Sequence, residues 1–317
     1  MKLIIQIPCY NEAETLSITL SALPRKVPGF DKVEWLIIDD GSTDKTIKVA
    51  EENGVDHIVK HALNRGLARA FMTGIREAVR LGADVILNTD ADNQYNADDI
   101  PSLTQPIVNG QADIVVGARP IDSINHFSPV KKILQKMGSW VVRMASKTNI
   151  PDAASGFRAM SRDAAQQLVV FNNYTYTLET IIQAGQKNMA ITSVPVRINA
   201  DLRPSKLVKG IPSYIIHSII TIVRIFIVYR PFRFFCSIGV VLFGSGTLIG
   251  MRFMWFYLNG RGAGHVQSLI LASVLLGMGF QTLLIAVIAD LLSVNRKLIE
   301  DVRLSSKIFS RNNDNID

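Results

Sequence analysis

The sequence predicts an α/β domain built on a mostly parallel sheet, followed by interfacial helices and two transmembrane helices. Three observations point there. From Lys2 to about Arg119 short β-branched runs alternate with helical stretches. Two apolar stretches near the C-terminus are each long enough to cross a bilayer. Positive charge is concentrated beside them: residues 1–201 carry 21 Lys+Arg against 22 Asp+Glu, and residues 202–317 carry 13 against 5, so the net charge of +7 sits wholly in the last third.

In chain order the predicted strands are Leu3–Ile7, Val33–Ile38, His57–Val59, Val85–Asn88 and Ile114–Gly117. Helices are predicted over Glu12–Leu23, Lys45–Asn53, Gly66–Leu81 and Ala97–Asn109. Thr43 and Asp44 suit the cap of the second, and Asp98 and Asp99 the first turn of the last. After Ile121 the pattern loosens into Lys131-Lys132 and a helical stretch to about Lys147. The turn-rich Pro151–Gly156 then follows, and this region is expected to close over the carboxyl edge of the sheet, where open α/β sheets place their ligand crevice.

Phe234–Met251 carries no charge and extends to Leu258 if Arg252 sits at a bilayer interface. Val266–Leu292 is almost wholly apolar, and the loop Asn259–His265 joins the two. Arg224, Arg230 and Arg233 precede the first span and Arg296, Lys297 and Arg303 follow the second, which places both termini in the cytoplasm by the positive-inside rule. Ile211–Tyr229 mixes apolar residues with His217 and Arg224, a pattern shared by interfacial helices and ordinary amphipathic packing helices. The expected organisation is a cytoplasmic catalytic domain over 1–207, juxtamembrane amphipathic helices over 208–233 and two spans over 234–292. A cytoplasmic tail over 293–317 is expected to be disordered from Ser310.

The basic residues neighbour apolar runs rather than exposed aromatics, which argues for a lipid bilayer and against nucleic acid as partner. Cys9 and Cys236 lie in unlike surroundings and imply no disulfide framework. The N-terminal apolar stretch is too short for a signal peptide. The five histidines show no metal-ligand spacing.

Asp90-Ala91-Asp92 directly follows a predicted strand. Two carboxylates one residue apart at a strand end can hold a hard divalent cation and through it a diphosphate, with Gln94 as a further oxygen ligand. Pro8-Cys9-Tyr10-Asn11-Glu12 and Asp39-Asp40-Gly41-Ser42 end the first two strands on the same edge, where an aromatic ring and carboxylates can hold a base and ribose. Asn11 and Ser42 also suit plain turn and cap roles.

Together with Asn64-Arg65-Gly66-Leu67, Gly117-Ala118-Arg119 and Ser155-Gly156-Phe157-Arg158, these motifs resemble family two of the inverting glycosyltransferases. More narrowly, the chain resembles the bacterial dolichyl- or polyprenyl-phosphate sugar synthases with two transmembrane helices. The resemblance covers residues 3–207 by motif and implies a GT-A fold, a nucleotide-sugar donor (UDP- or GDP-linked) and Mg²⁺ or Mn²⁺ as cofactor. It implies that Pro8, Tyr10, Glu12, Asp39, Asp40, Arg65, Asp90 and Ala91 serve the nucleotide, and that Asp90, Asp92 and Gln94 surround the metal. Arg119, Lys131, Ser139 and Arg158 fall where related enzymes approach the phosphates. Arg203-Pro204-Ser205-Lys206 resembles the Arg-x-x-Gly-x-Ser-Lys motif of these synthases but is shorter and lacks the glycine, which leaves open which of Arg203, Ser205 and Lys206 reaches a phosphate.

Sugar transfer develops negative charge on the departing diphosphate, which a metal and Arg or Lys groups stabilise. A lipid-phosphate acceptor is already ionised and needs no general base, whereas a hydroxyl acceptor on a glycolipid or glycan does, with Asp152 and Glu179 as candidates. Asp152 equally suits bracing its loop. A non-catalytic carrier-lipid binding protein is the rival from another class, and the retained Asp90 and Asp92 speak against it. Gly239, Gly244, Ser245, Gly246 and Gly250 on the first span allow close packing with the second span or with another copy in a homo-oligomer.

Overall fold

The structure is a computed structural model that describes residues 1–121, 129–170, 176–200, 216, 220, 223–224, 227–260 and 262–314. It divides into two compact units, Met1–Ser218 and Ile219–Asp317.

The first unit is built on a seven-stranded sheet. Its elements run β1 (Lys2–Cys9), α1 (Leu16–Ala22), β2 (Lys32–Asp39), α2 (Thr46–Glu52), β3 (His57–Lys60), α3 (Leu67–Arg80), β4 (Val85–Asn88), a 3-10 turn (Ala97–Asp99), α4 (Ile100–Val108) and β5 (Ile114–Ala118). There follow α5 (Pro129–Ser146), β6 (Arg158–Ser161), α6 (Arg162–Gln167), α7 (Thr177–Gln186) and β7 (Ile191–Pro195). Strand order is β3-β2-β1-β4-β6-β5-β7, all parallel except β6, which runs antiparallel to both β4 and β5.

β1, β2 and β4 are buried along nearly their whole length because helices cover both faces. Leu3, Ile5 and Ile7 point to one face and join Leu16, Leu20 and Trp35 in the core. On the other face α3 approaches so closely that a Cβ at Gly74 would overlap Gln6 Oε1 and Ile38.

Several predicted boundaries are corrected. α1 begins at Leu16 rather than Glu12, because Glu12 O accepts from Thr15 N and Leu16 N in a turn that leads into the helix. The sequence pattern did not mark β6 or β7. β6 is four residues without alternation, and β7 ends on Pro195, which is tolerated on an edge strand. The N-cap of α2 is Lys45, which makes no side-chain cap bond; Asp44, one residue earlier, instead accepts from Thr46 N at 2.9 Å.

The second unit contains α8 (Pro231–Leu258) and α9 (Val266–Asp314). Pro231–Leu258 and Val266–Asn295 are each long and apolar enough to cross a membrane, and they carry most of their large apolar side chains outward. The helices touch through small residues: a Cβ at Gly246 would lie 2.9 Å from Leu276 N, and one at Gly279 2.6 Å from Phe243 N. Gly239 also faces α9, whereas Gly244 has nothing within 4 Å. Ser310–Asp314 continues α9 as helix, correcting the expectation of a disordered tail. Most of 208–226, where juxtamembrane helices are expected, lies outside the described residues.

Candidate active site

Three turns leave the carboxyl ends of the parallel strands together. Cys9 pairs with Asp39 in register, and Asp40 N donates to Cys9 O at 2.8 Å, so the β1 and β2 turns start side by side. Asn11 adopts a left-handed backbone (φ 53°), which asparagine tolerates better than most residues. Its N–H donates to Ser42 Oγ at 2.9 Å and its Oδ1 accepts from Thr43 N at 2.8 Å, locking one turn to the other.

Asp39 is fully buried and accepts from Ser42 N at 3.3 Å. Asp40 accepts from Arg65 N at 2.9 Å and Gly66 N at 2.8 Å, and its Oδ1 lies 2.7 Å from His61 Nδ1. Its carboxylate therefore shapes the 64–66 loop. Pro8 is buried in β1, Tyr10 presents its ring at the surface, Glu12 Oε2 accepts from Thr15 Oγ1 at 3.1 Å, and Arg65 is exposed.

Beyond β4 the chain enters Asp90-Ala91-Asp92. A buried polar chain positions this turn. Gln6 Nε2 donates to Asn88 Oδ1, and Asn88 Nδ2 donates to Gly156 O and Tyr176 Oη, all at 2.9 Å. Gly156 N donates to Tyr95 Oη at 3.0 Å. Tyr176 stacks on Phe71 at 3.8 Å and Tyr95 on Phe157 at 4.9 Å. Gln6, Asn88, Tyr95 and Tyr176 were not among the sequence candidates. The available signal was a polar residue inside each of two apolar strands, Leu-Ile-Ile-Gln-Ile and Val-Ile-Leu-Asn.

Burial, reinforced by Asp92, pushes the Asp90 carboxyl up to about 7, against the opposing pull of Arg119 and Arg158. A buried carboxyl made so reluctant to ionise beside a second one suits a bound cation. Among the described residues no group of three or more His, Cys, Asp or Glu could hold a metal, so the protein would supply the two carboxylates and the donor diphosphate and water the rest. This all-oxygen, two-carboxylate set fits Mg²⁺ or Mn²⁺. Asp92 Oδ1 accepts from Gln94 N at 3.1 Å, and Ala91 O accepts from Thr19 Oγ1 at 2.9 Å. Gln94 follows two residues on, its carbonyl tied to Asn199 N at 2.8 Å.

Arg119 leaves β5 and grips Asp152: Nε donates to Oδ2 at 2.7 Å and Nη2 to Oδ1 at 3.1 Å. The side chains are 8% and 1% exposed. Burial weakens the guanidinium charge, but Tyr95, Asp152 and Asp90 more than restore it, and the pKa rises. Ser139, buried on α5, accepts from Ala153 N at 3.1 Å and so braces the same turn.

Arg158 is wholly buried and donates to Thr177 O at 3.1 Å and to Ser155 O and Thr180 Oγ1. All of these partners belong to the protein itself. Arg158 ties β6 to α7, and its influence on Asp90 is through space. Glu179 is buried on α7. Lys131 lies in α5 with its side chain outside the described residues, as are Arg203, Ser205 and Lys206 entirely. A cavity of about 530 Å³ opens beside Arg119 and Asp152, lined also by Lys136 and Arg143.

The family model described as Glycosyl transferase family 2 matches residues 4–169. A UDP-N-acetylglucosamine–dolichyl-phosphate N-acetylglucosaminyltransferase of Methanococcus voltae is 30% identical over 213 residues, covering 60% of this chain and 83% of that protein. A dolichol-phosphate mannosyltransferase of Pyrococcus furiosus is 28% identical over 273 residues, covering 82% and 73%. Glucosyl-3-phosphoglycerate synthase from Mycobacterium tuberculosis, solved with Mn²⁺, UDP and glucosyl-3-phosphoglycerate, shares the fold with a TM-score of 0.51 at 18% identity, covering 70% of this chain and 79% of that one.

Proposed function

The chain belongs to glycosyl transferase family 2, and from that premise we propose that it transfers a sugar, with inversion, from a UDP- or GDP-sugar to a polyprenyl phosphate at the cytoplasmic face of a membrane. The observation that carries this reading is the Asp90/Asp92 pair at the end of β4, set within the field of an arginine that Asp152 holds in place. Asp90 and Asp92 would hold Mg²⁺ or Mn²⁺, which supplies positive charge for the departing diphosphate. The Mn²⁺ and UDP bound by the structural neighbour accord with that choice.

The chain's own groups do the rest. Tyr10 offers a face for the base, the locked β1 and β2 turns shape the nucleoside pocket, and the buried guanidinium of Arg119 adds fixed positive charge. Asp152 is committed to Arg119 and is poorly placed to take a proton. A lipid-phosphate oxygen, already ionised, requires no such base. The acceptors in the names of both relatives agree with this. Arg224 and Arg230 before α8 with Arg233 in its first turn, and Arg296, Lys297 and Arg303 after the second apolar stretch, favour cytoplasmic termini.

The test is to incubate purified, detergent-solubilised protein with Mg²⁺ or Mn²⁺, undecaprenyl phosphate and a panel of radiolabelled UDP- and GDP-sugars. Labelled lipid that releases its sugar in mild acid is the expected outcome and names the donor. Metal-dependent nucleotide-sugar binding with no labelled lipid turns the reading to a hydroxyl acceptor.

A further inference from the structure

The helix α5, Pro-Val-Lys-Lys-Ile-Leu-Gln-Lys-Met-Gly-Ser-Trp-Val-Val-Arg-Met-Ala-Ser, contains four cations and no acidic residue. It packs on the domain through Ser139, Val141, Val142, Ala145 and Ser146, which are buried. Its opposite face is apolar and open. Ile133, Met137, Trp140 and Met144 recur at i, i+4, i+7 and i+11, which brings them into one stripe, and they are 65%, 39%, 51% and 44% exposed. Lys132, Lys136 and Arg143 form the row flanking this stripe on one side, where Lys136 and Arg143 line the cavity beside Arg119.

We propose that this face of α5 docks on an anionic lipid bilayer, with Ile133, Met137, Trp140 and Met144 entering the boundary between headgroups and acyl chains and the flanking cations meeting lipid phosphates. A stripe of large apolar side chains with an indole among them, bordered by cations without a single carboxylate, is the composition of a helix that lies in a membrane interface. A second copy of the same face fits less well. A two-fold contact would set one uniformly basic helix against its twin, with no acid on the helix to neutralise it. The proposal rests on the reading that α8 and α9 span a membrane, which tethers the domain to a bilayer through the chain itself.

The test uses the full-length protein reconstituted in vesicles of phosphatidylcholine and phosphatidylglycerol, about 7:3, with part of the phosphatidylcholine brominated near the headgroup end of its chains. The chain has three tryptophans, so the emission difference between the protein and Trp140→Phe isolates Trp140. Where that variant fails to fold, the double variant Trp35→Phe/Trp255→Phe leaves Trp140 as the sole tryptophan and reports it directly. The expected result is a Trp140 signal quenched by half or more by the brominated lipid, little touched by aqueous acrylamide, and quenched several-fold less in pure phosphatidylcholine. Quenching by acrylamide alone overturns the proposal in favour of a solvated face, and quenching by neither does so in favour of a protein partner. Equal quenching in pure phosphatidylcholine overturns the anionic surface. None of these readouts needs turnover, so failure here is distinct from failure of the transferase assay.

Discussion

Arg119 and Asp152 form a two-point ion pair, 2.7 Å at Nε and 3.1 Å at Nη2, between side chains that are 8% and 1% exposed. Removing one partner leaves the other charge buried, which typically costs 3–5 kcal/mol. Asp152→Asn is therefore expected to lower the melting temperature in detergent together with turnover. A variant that melts like the parent but has lost turnover with a shifted pH profile would return Asp152 to the role of a general base.

Asp92→Asn removes half of the proposed metal-binding pair while keeping side-chain size and the acceptor oxygen for Gln94 N. Groups that merely orient metal ligands are worth 10–100-fold in affinity, so loss of a direct ligand is expected to lower metal affinity by about 100-fold or more. Mn²⁺ titration and turnover at fixed nucleotide-sugar check this. Parent-like Mn²⁺ dependence would remove Asp92 from the metal site.

Much of this site was legible because its parts end predicted strands. Asp39, Asp90 and Arg119 follow runs whose β-branched pattern is plain, and parallel strands bring such ends to one edge. What the sequence could not reveal was the direction in which each side chain is spent. Asp40 and Arg158 belong to recognisable motifs, yet one shapes the 64–66 loop and the other ties Ser155 to α7. Such roles depend on contacts across 19 to 26 positions of chain and leave no local periodicity. The antiparallel β6 was hidden for a related reason. Its four residues carry no alternation, and only the flanking β4 and β5 define it as a strand.

Glu34 supports a pH prediction. Burial alone would raise its pKa, but Lys2, Lys32 and His57 outweigh burial and lower it to about 2 from 4.5. A carboxylate depressed in the fold stabilises it fully above its unfolded pKa, and that stability is lost as pH falls from about 4.5 towards 2. Because Lys32 is 67% exposed, solvent screening reduces the effect to roughly 1–2 kcal/mol. Glu34→Gln is expected to melt lower than the parent at pH 7, with the gap narrowing below about pH 4.5 and closing only as pH approaches 2. A gap of constant size would assign the loss to packing.

Gly156 makes the sharpest steric prediction in the site. A Cβ there would stand 2.9 Å from Asp90 Oδ2, 3.0 Å from Asp90 Oδ1 and 3.0 Å from Tyr176 Oη. The backbone cannot retreat without breaking bonds, because Gly156 N donates to Tyr95 Oη at 3.0 Å and its carbonyl accepts from Asn88 Nδ2 at 2.9 Å. Asp90 must therefore turn aside in Gly156→Ala. Overpacking of this kind costs about 1–3 kcal/mol, and a displaced ligand is expected to weaken Mn²⁺ binding by about 10–100-fold. Gly138→Ala is the matched control: its Cβ meets nothing within 4 Å, and alanine suits the helix interior better than glycine, so it should melt no lower than the parent. If Gly156→Ala binds Mn²⁺ as the parent does, Asp90 is not the ligand that this glycine makes room for, and Asp92 must hold the ion without it.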